Sequence, residues 1–333
     1  MENNIEKYDK SKMRQEIITS PRQFKIGIEV ARKVKVKGKV NKILICGMGG
    51  SALPGSLLKI YLRDSEENIP SSTNRNYKLP YWVDKKTLVV CISYSGNTEE
   101  TLSCLREAID KKIPVTCITS GGEMAEICSQ RKIPFALVPE GNQPRMALGF
   151  QFSALMKILN NCNLTKGLKD ISSLEKKLNP ISLEEKGKVL AERIKGEIPV
   201  IYASPRHKEL ARIWKIKFNE NSKVPAFFNY IPELNHNEIE GFSKEKNKDE
   251  KLHILIIKDE EENQRILKRI DLTFKILRRK TKVDIIEIEK GNLFFKIFSN
   301  IILSDWVSYW LAIKNQTDPT PVETIEEFKR QLR

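Results

Sequence analysis

Two α/β domains of one plan, each a mostly parallel sheet covered by helices on both faces in three layers, are what this 333-residue sequence predicts. Three observations carry the prediction. Short apolar runs rich in β-branched residues alternate with helix-like segments, the alternation occurs in both halves, and the order strand, turn, helix matches between them. In the first half "KILIC" precedes "GMGGSALPG", "TLVVCIS" precedes "YSGNTEETLSCLREAID", "PVTCITS" precedes "GGEMAEICSQ", and "FALVP" follows. In the second half "PVIYAS" leads into "PRHKELARIWKIKFNEN" and "HILIIKD" into "EEENQRILKRIDLTFKILRRK", while "VDIIEIE" comes before the long apolar helix "NLFFKIFSNIILSDWVSYWLAIK". The second half lacks the glycines and hydroxyls of the first-half turns, as expected of a duplication followed by specialisation. The predicted division is 1–165 and 166–333, with the charged stretch "LTKGLKDISSLEKKLNP" as linker. Two helices near the chain ends carry start signals: Ser20, Pro21 and Gln23 in "SPRQ", and Thr320, Pro321 and Glu323 in "TPVE".

Length and composition narrow the function. The chain is long enough for two domains that each bury a core, and no apolar stretch approaches the length of a membrane helix. The polar start "MENNIEKYDKSKMRQE" contains acids, unlike a secretory or organellar leader, so a cytoplasmic protein is expected. The six cysteines, Cys46, Cys91, Cys104, Cys117, Cys128 and Cys162, form no C-x-x-C pair and no zinc-spaced cluster; they are expected to be small core hydrophobes. A net charge of +15 would suit a nucleic-acid binder, but the 58 basic residues are scattered among 43 acidic ones without a recognisable motif. A solvated surface that draws in a small anion is expected instead, with neither a nucleic-acid nor a membrane partner.

What the first-half loops hold is the central question. Gly47, Gly49 and Ala52 satisfy a dinucleotide pattern formally, but no apolar second strand positions an acid for a ribose, and no Gly-Lys-Ser/Thr completes a triphosphate loop. "SYSGNTEET" says more. Ser93, Ser95, Thr98 and Thr101 bring four hydroxyls to a strand end and a helix start, where backbone N–H groups and the helix dipole favour an anion. Without a lysine or a Mg²⁺ pattern the anion is a phosphate monoester. The plainer alternative is an Asn97 cap with Glu100 completing a capping box.

"GMGGSA" followed by "SYSGNTEET" resembles the sugar isomerase (SIS) domain. With "PRMALGF", "FNENSKVPAFF" and "NHNEIEGF", the whole chain resembles the bifunctional phosphoglucose/phosphomannose isomerases. The resemblance implies two SIS subdomains, a homodimer, no cofactor or metal, and interconversion of glucose 6-phosphate or mannose 6-phosphate with fructose 6-phosphate. It also implies that Gly49, Gly50 and Ser51 approach the sugar while Ser93, Ser95 and Thr98 hold its phosphate. The turn "YASPRHK" is more basic than the resemblance leads one to expect.

Aldose–ketose isomerisation needs a base for the proton next to the carbonyl, a proton exchanger for ring opening, and positive charge near the enediolate. Glu220 lies four residues after Ile216 and seven after Ile213, so on an α-helix it shares their apolar face and is partly withdrawn from water, which strengthens a base. The alternative is an ordinary acid at a fraying helix end; the family's "NEN" favours the base. His236 sits in a polar loop between Asn235 and Asn237 and suits proton exchange; His207, in a charged turn, and His253, at a strand start, are weaker candidates. Lys329 lies on the stripe of Val322, Ile325, Phe328 and Leu332, where a snorkelling stem is the bland explanation. The family places an active-site lysine in such a helix, which implies a role beside His236. The resemblance further implies that His236 reaches the site of the partner subunit. Arg145, after Pro144, suits a fixed cation, against the alternative of a surface salt bridge. Three other readings compete: a different SIS isomerase acting on a pentose or heptose phosphate, a non-catalytic sugar-phosphate sensor, and a dehydrogenase, which the missing ribose acid disfavours.

Overall fold

The computed structural model describes residues 2–243 and 251–332. The chain forms two compact units, Thr19–Leu178 and the combination of Met1–Ile18 with Asn179–Arg333. Helices α1 (Glu2–Tyr8) and α2 (Met13–Thr19) open the chain. Hydrogen bonds tie this segment to the C-terminal unit. The Asp9 carboxylate accepts from the N–H groups of Met13 and Arg14 and from the Tyr309 hydroxyl at 3.1 Å, and Arg14 forks onto Glu184 with both bonds at 2.7 Å.

The unit Thr19–Leu178 contains α3 (Arg22–Val30), β1 (Lys42–Cys46), α4 (Leu53–Asp64), β2 (Ser71–Asn74), β3 (Thr87–Ile92), α5 (Glu99–Asp110), β4 (Val115–Thr119), α6 (Gly122–Gln130), β5 (Phe135–Leu137) and α7 (Leu148–Asn161). Its five strands are parallel in the order β2-β1-β3-β4-β5, so the chain reverses its direction of growth between β1 and β3. Ligands of open α/β sheets bind outside the carboxyl ends of the strands at such a point. Five of the six cysteines behave as expected: Cys46 stands beside Cys91 and Cys91 beside Cys117 in register, and with Cys104 and Cys128 they lie buried in one apolar cluster, whereas Cys162, at the end of α7, is only partly buried.

Three expectations change here. The stretch read as a linker folds into two short helices, α8 (Leu168–Ser172) and α9 (Leu174–Lys177), which bury Ile171 and Leu174 against α3 and α7. Apolar residues hidden in a charged context have too few turns to register as periodic. Ser20 does not cap α3: Pro21 holds the cap position in helical geometry, and the Gln23 amide instead donates to Met146 O at 2.8 Å and accepts from Gly149 N at 3.0 Å. Buried backbone groups at the start of α7 need partners, and Gln23 supplies both. The third change is β2, a polar edge strand "SSTN" that no apolar pattern announces.

The second unit contains α10 (Pro180–Ile194), β6 (Ile198–Ala203), α11 (Lys208–Lys217), β7 (Phe227–Tyr230), β8 (Leu252–Lys258), α12 (Gln264–Leu277), β9 (Lys282–Glu287), α13 (Leu293–Lys314) and α14 (Glu323–Leu332). Its strands are parallel in the order β7-β6-β8-β9, the first four places of the other sheet over again. The long apolar helix α13 is the unit's core. It packs on α10 and α11, its Trp306 indole donates to Pro180 O at 2.7 Å, and Gly187 of α10 lies so close that an added Cβ would sit 2.4 Å from Trp306 Cβ. Its apolar length therefore serves the interior and leaves no excess surface. Among the described residues no helix is long and apolar enough to cross a membrane.

Candidate active site

In the unit Thr19–Leu178 the loops after β1 and β3 meet at the switch point. Gly49–Ala52 forms a single 3₁₀ turn, entered by Gly49 at φ +49°. A Cβ on Gly50 would stand 2.7 Å from the Arg145 backbone nitrogen, so only glycine lets the two segments lie together. Ser51 Oγ accepts from Tyr94 N at 3.0 Å, which joins this turn to the hydroxyl loop. In that loop Ser93 and Thr98 hydroxyls bond to each other at 2.9 Å, Ser95 is exposed with its Oγ accepting from Asn97 N at 3.3 Å, and Gly96 turns at φ +72° with no room for a Cβ beneath Gly121 O.

The capping alternative does not hold. Thr98, not Asn97, occupies the cap of α5, and the Asn97 side chain accepts from Glu123 N of α6 at 3.0 Å. Thr101, read as a fourth loop hydroxyl, is instead buried inside α5. Arg145 is 1% exposed, which removes the surface salt bridge; its Nη1 donates to Gln143 at 3.3 Å. Gln23 clamps the backbone on the far side of Arg145, so the cation's segment is held from both ends. Gly49, Gly50, Ser51, Ser93, Ser95, Thr98 and Arg145 thus form one connected assembly. The position where a dinucleotide fold places its ribose-binding acid, just past β2, holds Arg75, bonded to Ser56 Oγ at 3.1 Å.

In the C-terminal unit Glu220 sits in a π-helical turn, Phe218–Ser222, that continues α11. The wider turn adds a residue per coil, so α-helical counting from Ile213 fails beyond Lys217. The buried face passes to Asn221 and Ser222, which bond to Ser308 of α13 at 2.9 and 2.7 Å, and Glu220 is left half-buried at the rim. Beneath the turn Lys217 pairs with Asp305 at 2.5 Å, both buried. Lys223, in left-handed geometry at φ +56°, closes the turn and donates to the carbonyls of Glu220 and Pro319. Sequence reasoning missed these supports. The polar residues interrupting the apolar pattern of α13 were the available signal.

The "NHNEIEG" segment is self-bracing. Asn235 Nδ2 donates to Thr273 at 2.8 Å, Asn237 bridges Glu238 N and Glu233, and the Glu238 carboxylate accepts from the Tyr202 hydroxyl at 2.5 Å and from Asn229. Burial and Glu238 together push the Tyr202 phenol well above its ordinary range, so it stays a donor. His236, at the end of the 3₁₀ turn Glu233–His236, stands exposed among these anchors. His207 and His253 are buried and paired with Asp259 and Asp284.

Helix α14 begins at Glu323, three residues beyond Thr320, and none of its side chains is buried. Its stripe of Ile325, Phe328 and Leu332 faces solvent at 41, 64 and 56% exposure, and Lys329 pairs with Glu326 at 2.8 Å. The snorkelling explanation fails because no apolar bed lies under the stem. Among the described residues no cluster of His, Cys, Asp or Glu is arranged to hold a metal.

Two three-layer α/β units with a hydroxyl-lined switch point define the SIS class of fold. The family profile described as "Bacterial phospho-glucose isomerase C-terminal SIS domain" matches residues 183–332. The bifunctional phosphoglucose/phosphomannose isomerase of Aquifex aeolicus is 41% identical over 87% of this chain and 90% of its own length. The protein of that name from Caldicellulosiruptor bescii is 36% identical over 96 and 98%. Among solved structures, the C-terminal domain of glucosamine-fructose-6-phosphate aminotransferase from Francisella tularensis superposes with a TM-score of 0.66 at 17% identity, over 93% of this chain and 96% of that one, a likeness of fold. The chain belongs to the bifunctional phosphoglucose/phosphomannose isomerase family.

Proposed function

We propose that this protein is an aldose–ketose isomerase that interconverts glucose 6-phosphate and mannose 6-phosphate with fructose 6-phosphate, without a metal or other cofactor, in the cytoplasm. The observation that carries the reading is the connected assembly of the first unit: Arg145, buried, lies on Gly50, and Ser51 binds the backbone of the hydroxyl loop. One rigid piece then offers a close backbone for the sugar, hydroxyls for a phosphate and a fixed cation for an enediolate.

In the proposed reaction Ser93, Ser95 and Thr98 hold the phosphate, which does not change, and Gly49, Gly50 and Ser51 approach the sugar. His236 and Lys329 exchange protons at the ring oxygen and the adjacent hydroxyl to open the ring. The Glu220 carboxylate removes the proton from C2 of the open aldose, the electron pair moves to make the enediolate beside Arg145, the O2 hydroxyl proton passes to O1, and the same carboxyl returns its proton to C1, leaving the carbonyl at C2. The braced, outward-facing His236 and the exposed apolar stripe of α14 both suit a two-fold homodimer in which His236 serves the partner's Glu220. Incubating the purified protein with fructose 6-phosphate and following both aldose phosphates, with and without chelator, tests the reading. Chelator-resistant formation of either aldose is expected; no turnover, or turnover abolished by chelator and restored by a metal, overturns it.

A further inference from the structure

The switch point of the C-terminal sheet lies between β6 and β8, as that of the first lies between β1 and β3. By strand order β8 corresponds to β3, so Asp259, the residue directly after β8, corresponds to Ser93, the residue directly after β3. The turn after β6, Ser204 to His207, likewise corresponds to the glycine turn after β1. What stands there is a complete anion cradle. The Asp259 carboxylate receives Lys296 Nζ at 3.0 and 3.2 Å, His207 Nε2 at 3.1 Å and the Glu261 backbone N–H at 3.1 Å, with Arg206 Nη1 at 3.7 Å. Asp259, His207 and Lys296 are each at most 3% exposed. Glu261, 61% exposed, pairs with the same Lys296 from the solvent side.

A backbone N–H, a lysine, an imidazole and a guanidinium converging on one point are the donors a phosphate or carboxylate ligand would need. Burying a lysine and an imidazole side by side is costly unless an anion neutralises them. In this unit the anion is supplied by the chain. Burial alone would push the Asp259 carboxyl up, but the bonds from His207, the Glu261 N–H and Lys296 outweigh it and hold the group well below the usual carboxylate range.

We infer that the switch-point crevice of the C-terminal unit is an anion site occupied by the Asp259 carboxylate, and that removing this carboxylate uncovers a site for a small oxyanion. The internal anion also fixes the Ser204–His207 turn from which α11 departs toward Glu220, where His207 N bonds back to Ser204 O at 3.1 Å. The first-unit loop enters only as a topological counterpart, and the inference stands whether or not that loop holds a phosphate.

Asp259→Gly in the full chain tests it, with inorganic phosphate and formate as probes. Calorimetric titration is expected to count one more phosphate per chain in the variant than in wild type, whichever number wild type shows. The variant is expected to melt lower than wild type and to regain about 5 °C in near-saturating formate or phosphate beyond any gain of wild type. Asp259→Asn, which fills the space without charge, is expected to melt lower and to gain no more than wild type. If Asp259→Gly does not fold without added anion, folding in its presence supports the inference. Asp259→Ser, which puts the Ser93 side chain at the matching place, repeats the test. Equal phosphate counts and equal thermal gains in variant and wild type overturn the inference, as does failure of both small variants to fold even with anion present.

Discussion

The two units run the same parallel plan to opposite ends. In the unit Thr19–Leu178 the residues past β1 and β3 are glycines and hydroxyls, and Ser95, at the tip of the hydroxyl loop, is exposed. In the C-terminal unit the residues past β6 and β8 are ionic, and they satisfy one another in a closed cluster around Asp259. In the proposed reaction that unit contributes from places the strands do not supply: a π turn, a braced loop and a terminal helix. The same strand order thus leaves a crevice of small, neutral side chains in one unit and a crevice filled by a charged side chain in the other.

The largest expected effect tests that contribution. Glu220→Gln keeps the shape of the π turn and is expected to lower kcat by at least about a hundredfold, the low end for losing a general base. The thermal response to phosphate should stay near that of wild type. Near-normal turnover would remove Glu220 from the mechanism and with it the contrast between the units.

The open crevice of the first unit is sharpened by Ser95→Ala combined with Thr98→Val. Losing two hydrogen bonds to an unreacting phosphate should raise KM by roughly tenfold or more, alike for all three sugar phosphates, with kcat little changed. Phosphate should protect the double variant against heat less than it protects wild type. Equal protection would place the anion elsewhere.

Whether His236 serves the partner's Glu220 across a dimer is tested by complementation. Mixing Glu220→Gln with His236→Ala subunits puts both lesions in one site of a mixed two-fold dimer and leaves the other site intact. With random exchange half the dimers are mixed, so activity is expected to recover to about a quarter of wild type. Confirmed mixed dimers without recovery would mean that both residues act within one chain.

The smallest effect concerns pH. The Asp259 carboxyl is depressed in the folded protein, so its contribution is complete above its unfolded value of about 4 and is lost as pH falls through the folded value. The gap in Tm between wild type and Asp259→Asn is therefore expected to be constant near neutrality and to narrow below about pH 4. A gap unchanged by acid would show that the carboxylate's charge contributes nothing there.

Much of this was legible in the order of residues. Central strands are buried on both faces, so β1, β3, β4, β6 and β8 announce themselves as apolar runs, and the glycines and hydroxyls of "GMGGSA" and "SYSGNTEET" mark the turns because few other residues fit there. The edge strand β2 left no such trace, since an edge can form on backbone partners alone and "SSTN" carries no apolar residue at all. Long-range contacts decided the remainder. Gln23 serves Met146 and Gly149, 123 and 126 residues away, where its neighbours suggested a cap. Glu220 leaves the apolar face because a π turn anchored on Ser308 adds a residue that no α-helical count includes. The basic turn after β6 reads as open surface until β8 and α13 bring Asp259 and Lys296 to it. Periodicity and turn chemistry are local and survive in the sequence, whereas the partner of a buried charge or amide is set by which distant segment the fold lays against it.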